Sequence, residues 1–163
     1  MINNRSETEE MLDLVANFFN HATHFLMMEE RPMPGGYFCL ADTVNGRPWF
    51  ICSFGIMLEE KWPRYLHFAQ EKALRLAVNP SHESSWQSRN EEEEQWGGAI
   101  RAGQYILSFS GLPEKWDEAL CLAVAFTHQL INMDEAIAIA DLKRTPSPLE
   151  EFSKLIRRER IQS

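Results

Sequence analysis

WGGAIRAGQYILSFSGLPEKWDEALCLAVAFTH, residues 96–128, reads as two short strands, a sharp turn and a long helix. Gly103-Gln104 suits a two-residue type II′ turn, in which glycine supplies the positive φ at the first position. That turn pairs Ala102 with Tyr105, Ile100 with Leu107 and Gly98 with Phe109, an apolar face. The other face carries Gly97, Ala99, Arg101, Ile106, Ser108 and Ser110, most of them small. Pro113 then opens a helix, and Glu114, Asp117 and Glu118 sit in or near its first turn, where the helix dipole favours acids. Trp116, Leu120, Ala123, Val124, Thr127 and Ile131 face inward, while Cys121, Leu122, Ala125 and Phe126 occupy the remaining sides. A helix this apolar all round is expected to be buried on more than one side.

Upstream, a first helix is predicted from about Glu7 to Met28, with Ser6 and Glu9 as a capping box and Leu14, Phe18, Ala22 and Phe25 as its stripe, widened by Met11, Val15 and Leu26. Arg-Pro-Met-Pro-Gly-Gly (31–36) breaks it. Residues 37–54 read as a second hairpin, turning at Asn45-Gly46 in a type I′ turn. This register sets Val44 against Arg47 and Cys39 against Cys52, with Tyr37, Cys39, Ala41, Pro48, Phe50, Cys52 and Phe54 on one face. Pro48, which cannot donate to a ladder, marks its strand as a sheet edge. A helix over about 63–78 buries Trp62, Leu66, Ala69, Ala73, Leu76 and Ala77, and Asn79-Pro80 ends it. Residues 81–95, SHESSWQSRNEEEEQ, are polar and are expected to form a long mobile connection, with Trp86 in a lid or interface role. Asn132 and Glu135 cap a short helix to about Leu142, and Ser147-Pro148 opens a last one to about Arg160.

The chain thus predicts an α+β domain over residues 1–145, an antiparallel sheet of two hairpins flanked by helices, followed by a helical tail over 146–163. Its 163 residues, 44% of them apolar, suffice for one core. A net charge of −8 argues against nucleic-acid binding and against docking on anionic lipid, both of which need basic patches. The longest apolar run, residues 119–131, is too short to span a bilayer. The polar, acidic start MINNRSETEE lacks the pattern of a secretory signal, and three cysteines do not make a disulfide framework, so a cytoplasmic location is expected.

Gly97-Gly98, then Ser110-Gly111-Leu112-Pro113-Glu114 and Asp117-Glu118, in the order helix, hairpin, helix, loop, hairpin, helix, resembles the GlcG/HbpS-like family over residues 37–131. Ile100 stands where that family often has proline, and the last 30 residues have no counterpart. The resemblance implies a profilin-like fold, a homo-oligomer, and a role in binding haem, another small ligand or a partner protein. It implies no particular reaction, and no ligand residues of the family map onto this chain.

Arg101, Ser108 and Ser110 are the first candidates for a site: a guanidinium fork for a carboxylate or phosphate, completed by two hydroxyls. The competing reading is that the small residues around them let a helix approach the sheet. His67 and His128, on helices with apolar neighbours, are the candidate axial ligands if haem is the cofactor. No histidine has metal-ligand spacing with a second histidine or cysteine, and His21 and His24 lack a third ligand nearby. Cys39 and Cys52 would be close enough for a strained disulfide in the expected register, against simple packing of two thiols. Glu91 to Glu94 reads as a solvated run. No nucleophile–base pair or phosphate-binding glycine loop is present. The leading expectation is a non-catalytic binder of a small ligand or partner that assembles through the outer side of helix 113–131 or through its tail. Haem handling and an enzyme anchoring a small anionic substrate on Arg101 are the alternatives.

Overall fold

A computed structural model describes residues 5–27 and 34–162; Met28, the expected end of the first helix, and residues 31–33 of the break expected at 31–36 lie outside them. In chain order the elements are α1 (Arg5–Met27), β1 (Gly35–Asp42), β2 (Pro48–Gly55), α2 (Trp62–Ala77), a 3₁₀ turn (Ser85–Ser88), β3 (Ala99–Ala102), β4 (Tyr105–Ser110), α3 (Glu114–Thr127), α4 (Met133–Asp141) and α5 (Leu149–Gln162). The four strands form one antiparallel sheet in the order β2-β1-β4-β3. The expected α+β class is therefore the observed one.

Side-chain alternation divides the sheet between two helical layers. Phe38, Leu40, Ile100, Ala102, Tyr105, Leu107 and Phe109 join a large core with α1, α3, α4 and α5. Cys39, Ala41, Ala99 and Ile106 face the alanines of α2, namely Ala69, Ala73 and Ala77, with Leu76. The small residues on this second face let α2 approach closely. A larger side chain at Ala99 or Ala73 would push the helix off.

The second hairpin has the register expected of it, Ala102↔Tyr105 and Ile100↔Leu107, and Gly103 alone of its turn pair takes positive φ (+62°). The first differs. Asp42, not Val44, pairs with Arg47. The Asp42 carboxylate accepts hydrogen bonds from the Val44 and Asn45 amides at 2.8 and 3.1 Å, building a four-residue loop in place of a tight turn. A bulge at Trp49 then shifts the ladder, so Cys39 lies opposite Ile51 and Phe38 opposite Cys52. Cys39 and Cys52 point to opposite faces, and all three cysteines are free thiols. Phe50, Cys52 and Phe54 consequently share their face with Phe38 and Leu40 rather than with Cys39. β2 is an edge strand, as Pro48 suggested.

Further corrections concern the helices and the long connection. α1 includes Ser6 within the helix, and Glu9 pairs with Arg5 at 2.7 Å instead of closing a capping box. Trp62 is 43% exposed, outside the core expected of it. α3 presents no free outer side for assembly: every residue from Trp116 to Ala125 is buried, against the sheet, α1, α4 and α5. α5 packs on the rest of the chain, with Leu149, Phe152 and Ile156 in the main core. Phe152 meets Phe18 and Trp116 edge-on at 5.5 and 5.7 Å.

Residues 81–95, expected to be mobile, form a built segment. Ser84 and Gln87 make a capping box around the 3₁₀ turn, and Asn90 pairs with Gln95. The segment closes the outer edge of β3 through a bridge between Ser84 and Ile100 and a bond from the Arg101 amide to the Glu83 carbonyl. Arg75, buried at the end of α2, donates to the carbonyls of Ser85 and Trp96 and to the Ser88 hydroxyl. Short polar residues make the segment look unstructured, yet its own capping box and bridge, the edge of β3 and the buried Arg75 side chain hold it in place.

Candidate functional site

Helix α3 begins at Pro113 without a side-chain cap. Its three acids are spaced i, i+3 and i+4, which sets them on one side of the helix. Each is held by a cation from a different segment. Arg89 grips Glu114 in a bidentate pair at 2.8 and 2.9 Å, and the Gly97 amide donates to the same carboxylate at 2.9 Å. The Arg89 guanidinium lies over the rings of Trp86 and Trp96, 5.3 Å from each centroid. Its hydrogen bonds to Glu114 raise the Arg89 pKa.

Asp117 is buried and pairs with the equally buried Lys72 at 3.0 Å, while accepting from the Leu112 amide at 2.9 Å. Lys72 also donates to the Phe109 carbonyl at 2.9 Å. Gly98 makes room for this pair. It takes φ +121°, and a Cβ there would stand 2.7 Å from the Asp117 Cβ and 2.8 Å from the Lys72 Nζ. Burial pushes the Asp117 carboxyl up to about 7, with Lys72 and the Leu112 amide pulling against it. Glu118 is held by Lys143 at 2.5 Å and by the Ser84 hydroxyl, which donates to it at 2.5 Å. Burial raises its pKa too, against the pull of Lys143. Desolvation likewise pushes the Cys39 thiol up to about 12 and Cys121 well above the ordinary thiol range, so neither is an ionised nucleophile at neutral pH.

These clasps fix the walls of a cleft of about 480 Å³ between the start of α2 and the β4–α3 turn. Tyr65, Phe68 and Trp96 supply aromatic walls, Lys61 and Arg64 stand among its lining, and Ser110 and Pro113 belong to the turn. The acids lining it, Glu114 and Asp117, are already neutralised by Arg89 and Lys72. Arg64 pairs with Glu94 at 2.7 Å, both side chains being more than half exposed, and lies 5.2 Å over the Phe68 ring. Such an exposed pair is weak and exchangeable.

The residues singled out from the sequence fall in different places. Arg101 is not an anion anchor. Its five N–H groups meet the carbonyls of His82, Thr43, Leu76 and Asn79 and the Thr43 hydroxyl, so the fork is spent on closing the C-terminal end of α2 and two loops. That arrangement leaves the Arg101 fork no free N–H to offer a substrate. Ser108 is wholly buried in the sheet, its Oγ without a hydrogen-bond partner. Ser110 does line the cleft. His67 is exposed on α2 and His128 caps the end of α3, so the sheet lies between them and neither lines the cleft. Among the described residues, no cluster of three histidine, cysteine or acidic side chains could hold a metal ion, and no helix is long and apolar enough to cross a membrane.

Lys72, Arg89 and Lys143 are the functional neighbours that the sequence reading missed. Lys72 had a signal: it lies within the apolar stripe formed by Phe68, Ala69, Ala73 and Leu76. A lysine at the centre of such a stripe needs a buried partner. The chain matches no family model, no curated protein and no solved structure at a significant level.

Proposed function

We propose that the protein is a non-catalytic binder of a small ligand, held in the cleft between α2 and the β4–α3 turn. The observation that carries this reading is the contrast within the cleft. Its ionic groups at depth are mutually satisfied, while Tyr65, Phe68 and Trp96 line its volume and guanidinium groups lie over the Phe68 and Trp96 rings. A pocket with apolar walls and few polar groups is the usual form of a small-molecule site, and rigid clasps reduce the ordering cost of binding. No nucleophile–base pair accompanies the cleft, since its carboxylates are tied to cations and the buried thiols stay protonated. The similarity of residues 110–118 to the GlcG/HbpS-like pattern agrees with a binding role. Haem handling has less support, because His67 and His128 lie outside the cleft.

The test is a ligand screen by amide chemical shifts on the full chain, using neutral, cationic and anionic small molecules. Ligands of this site move the amides of residues 61–68 and 110–114 together. If no compound moves those two groups, the cleft is not a binding site. A haem titration producing a Soret band would favour the alternative instead.

A further inference from the structure

We propose that the cleft selects small aromatic carboxylates, with the carboxylate seated against Ser110 and the uncapped start of α3; this rests on the reading of the cleft as a ligand site. Four observations converge. Ser110 is 97% buried, lines the cleft, and its hydroxyl has no hydrogen-bond partner among the described residues. Unlike that of Ser108, the Ser110 Oγ is not enclosed, so its hydroxyl is open to an occupant of the cleft. Second, the first-turn amides of Glu114 and Lys115 have no acceptor among the described residues, because Pro113 at the N-cap offers no side-chain oxygen. Third, the charges do not cancel. Lys72 and Arg89 are consumed by Asp117 and Glu114, and Arg64 is shared with Glu94, but Lys61 has no ionic partner among the described residues. A positive excess at the lining, together with a helix N-terminus, favours an anion. Fourth, the side walls are Tyr65, Phe68 and Trp96, which suit a flat apolar body rather than a bare inorganic ion.

The strand order explains why these groups meet. In β4, Leu107 and Phe109 turn into the main core, so Ser108 and Ser110 turn toward α2. Ser108 is covered by the helix, whereas Ser110 is at the strand end, where α2 begins and the cleft opens. One of the two serines is therefore a packing residue and the other a ligand donor.

The experiment titrates the isotopically labelled full chain with benzoate, phenylacetate and indole-3-acetate, each beside its neutral amide, and with inorganic phosphate. At least one of the carboxylates is expected to move the amides of Ser110, Glu114 and Lys115, binding roughly tenfold or more tightly than its neutral amide. Ser110→Ala is expected to weaken that carboxylate by roughly fivefold to tenfold. Lys61→Ala, an exposed change that leaves the fold alone, is expected to weaken it severalfold at low salt and little at high salt. Equal binding of acids and amides overturns the carboxylate assignment while leaving the cleft reading intact. Phosphate binding as tightly as the aromatic acids overturns the role of the aromatic walls. If other screened compounds move residues 61–68 and 110–114 but none of these acids does, the carboxylate assignment alone falls. If nothing moves those residues, both readings fall.

Discussion

Lys72 and Asp117 concentrate the energetics of the site in one buried contact at 3.0 Å. Taking two charges out of water is costly, and the pair offsets that cost only while both members are present. Lys72→Met leaves the Asp117 carboxylate and the Phe109 carbonyl without their donor, and is expected to cost about 3–5 kcal/mol at pH 8 in urea unfolding. The loss is pH-dependent in a fixed direction. Burial already raises the folded pKa of Asp117 to about 7, above its unfolded value, so the folded state binds the proton more tightly. A raised acid contributes stability that is present at low pH and lost as pH rises through the folded pKa. Removing Lys72 removes an influence that lowers this pKa, so the variant's deficit shrinks on acidification from pH 8 to pH 5. Adding Asp117→Asn to Lys72→Met keeps an acceptor for the Leu112 amide and removes the charge. The double variant is expected to regain stability over the single one and to lose this pH slope. A deficit independent of pH would show that Asp117 does not carry the titration. Gly98→Ala tests the same spot by volume. Positive φ and contacts of 2.7 and 2.8 Å predict a loss of about 2–4 kcal/mol by thermal or chemical unfolding.

At the scale of elements, the β4–α3 segment was legible because its signals are local: a glycine at a two-residue turn, alternation of period two, and proline with acids at a helix start. The first hairpin was less so. Asn45-Gly46 is a strong turn signal, but Asp42, three residues earlier, captures the Val44 and Asn45 amides and lengthens the loop. The side chain that decides the register lies outside the dipeptide that announces the turn. Arg101 shows a different limit. Its position at a hairpin end was readable, while the carbonyls it would meet come from Thr43, Leu76, Asn79 and His82, none of them close in sequence. Arg101→Lys cannot supply a planar five-donor fork, so a loss of about 2–3 kcal/mol is expected. Hydrogen exchange should quicken in the last turn of α2 and in the loop at residues 43–46, with ligand binding in the cleft unchanged. A stable variant that lost binding would restore Arg101 to the site.

At the scale of the molecule, α3 is the hub against which the other parts are keyed. Its acids reach the 84–97 segment, α2 and the loop after α4 through Arg89, Lys72 and Lys143, and its apolar sides meet the sheet, α1 and α5. The sequence showed that α3 is apolar all round and acidic at its start, which left its partners open. Its flanks suggest an assembly surface from sequence because α5, which covers one of them, follows the Pro-rich break at 145–148 and looks separate. Within α5 the apolar residues are interleaved with charged ones, among them Lys154, Arg157 and Arg158. Leu149, Phe152 and Ile156, at spacings of three and four, carry its inward face, with Leu155 packed partly buried beside them. If α5 is integral to the core, Phe152→Ala opens a void between Phe18 and Trp116, and a loss of about 3–5 kcal/mol is expected in a single cooperative urea transition. A tail docked loosely on a self-sufficient domain would behave otherwise. The main transition would keep its midpoint, and only the amides of residues 149–158 would exchange faster. The position of the midpoint therefore decides whether the chain folds as one unit or as a domain with an appended helix.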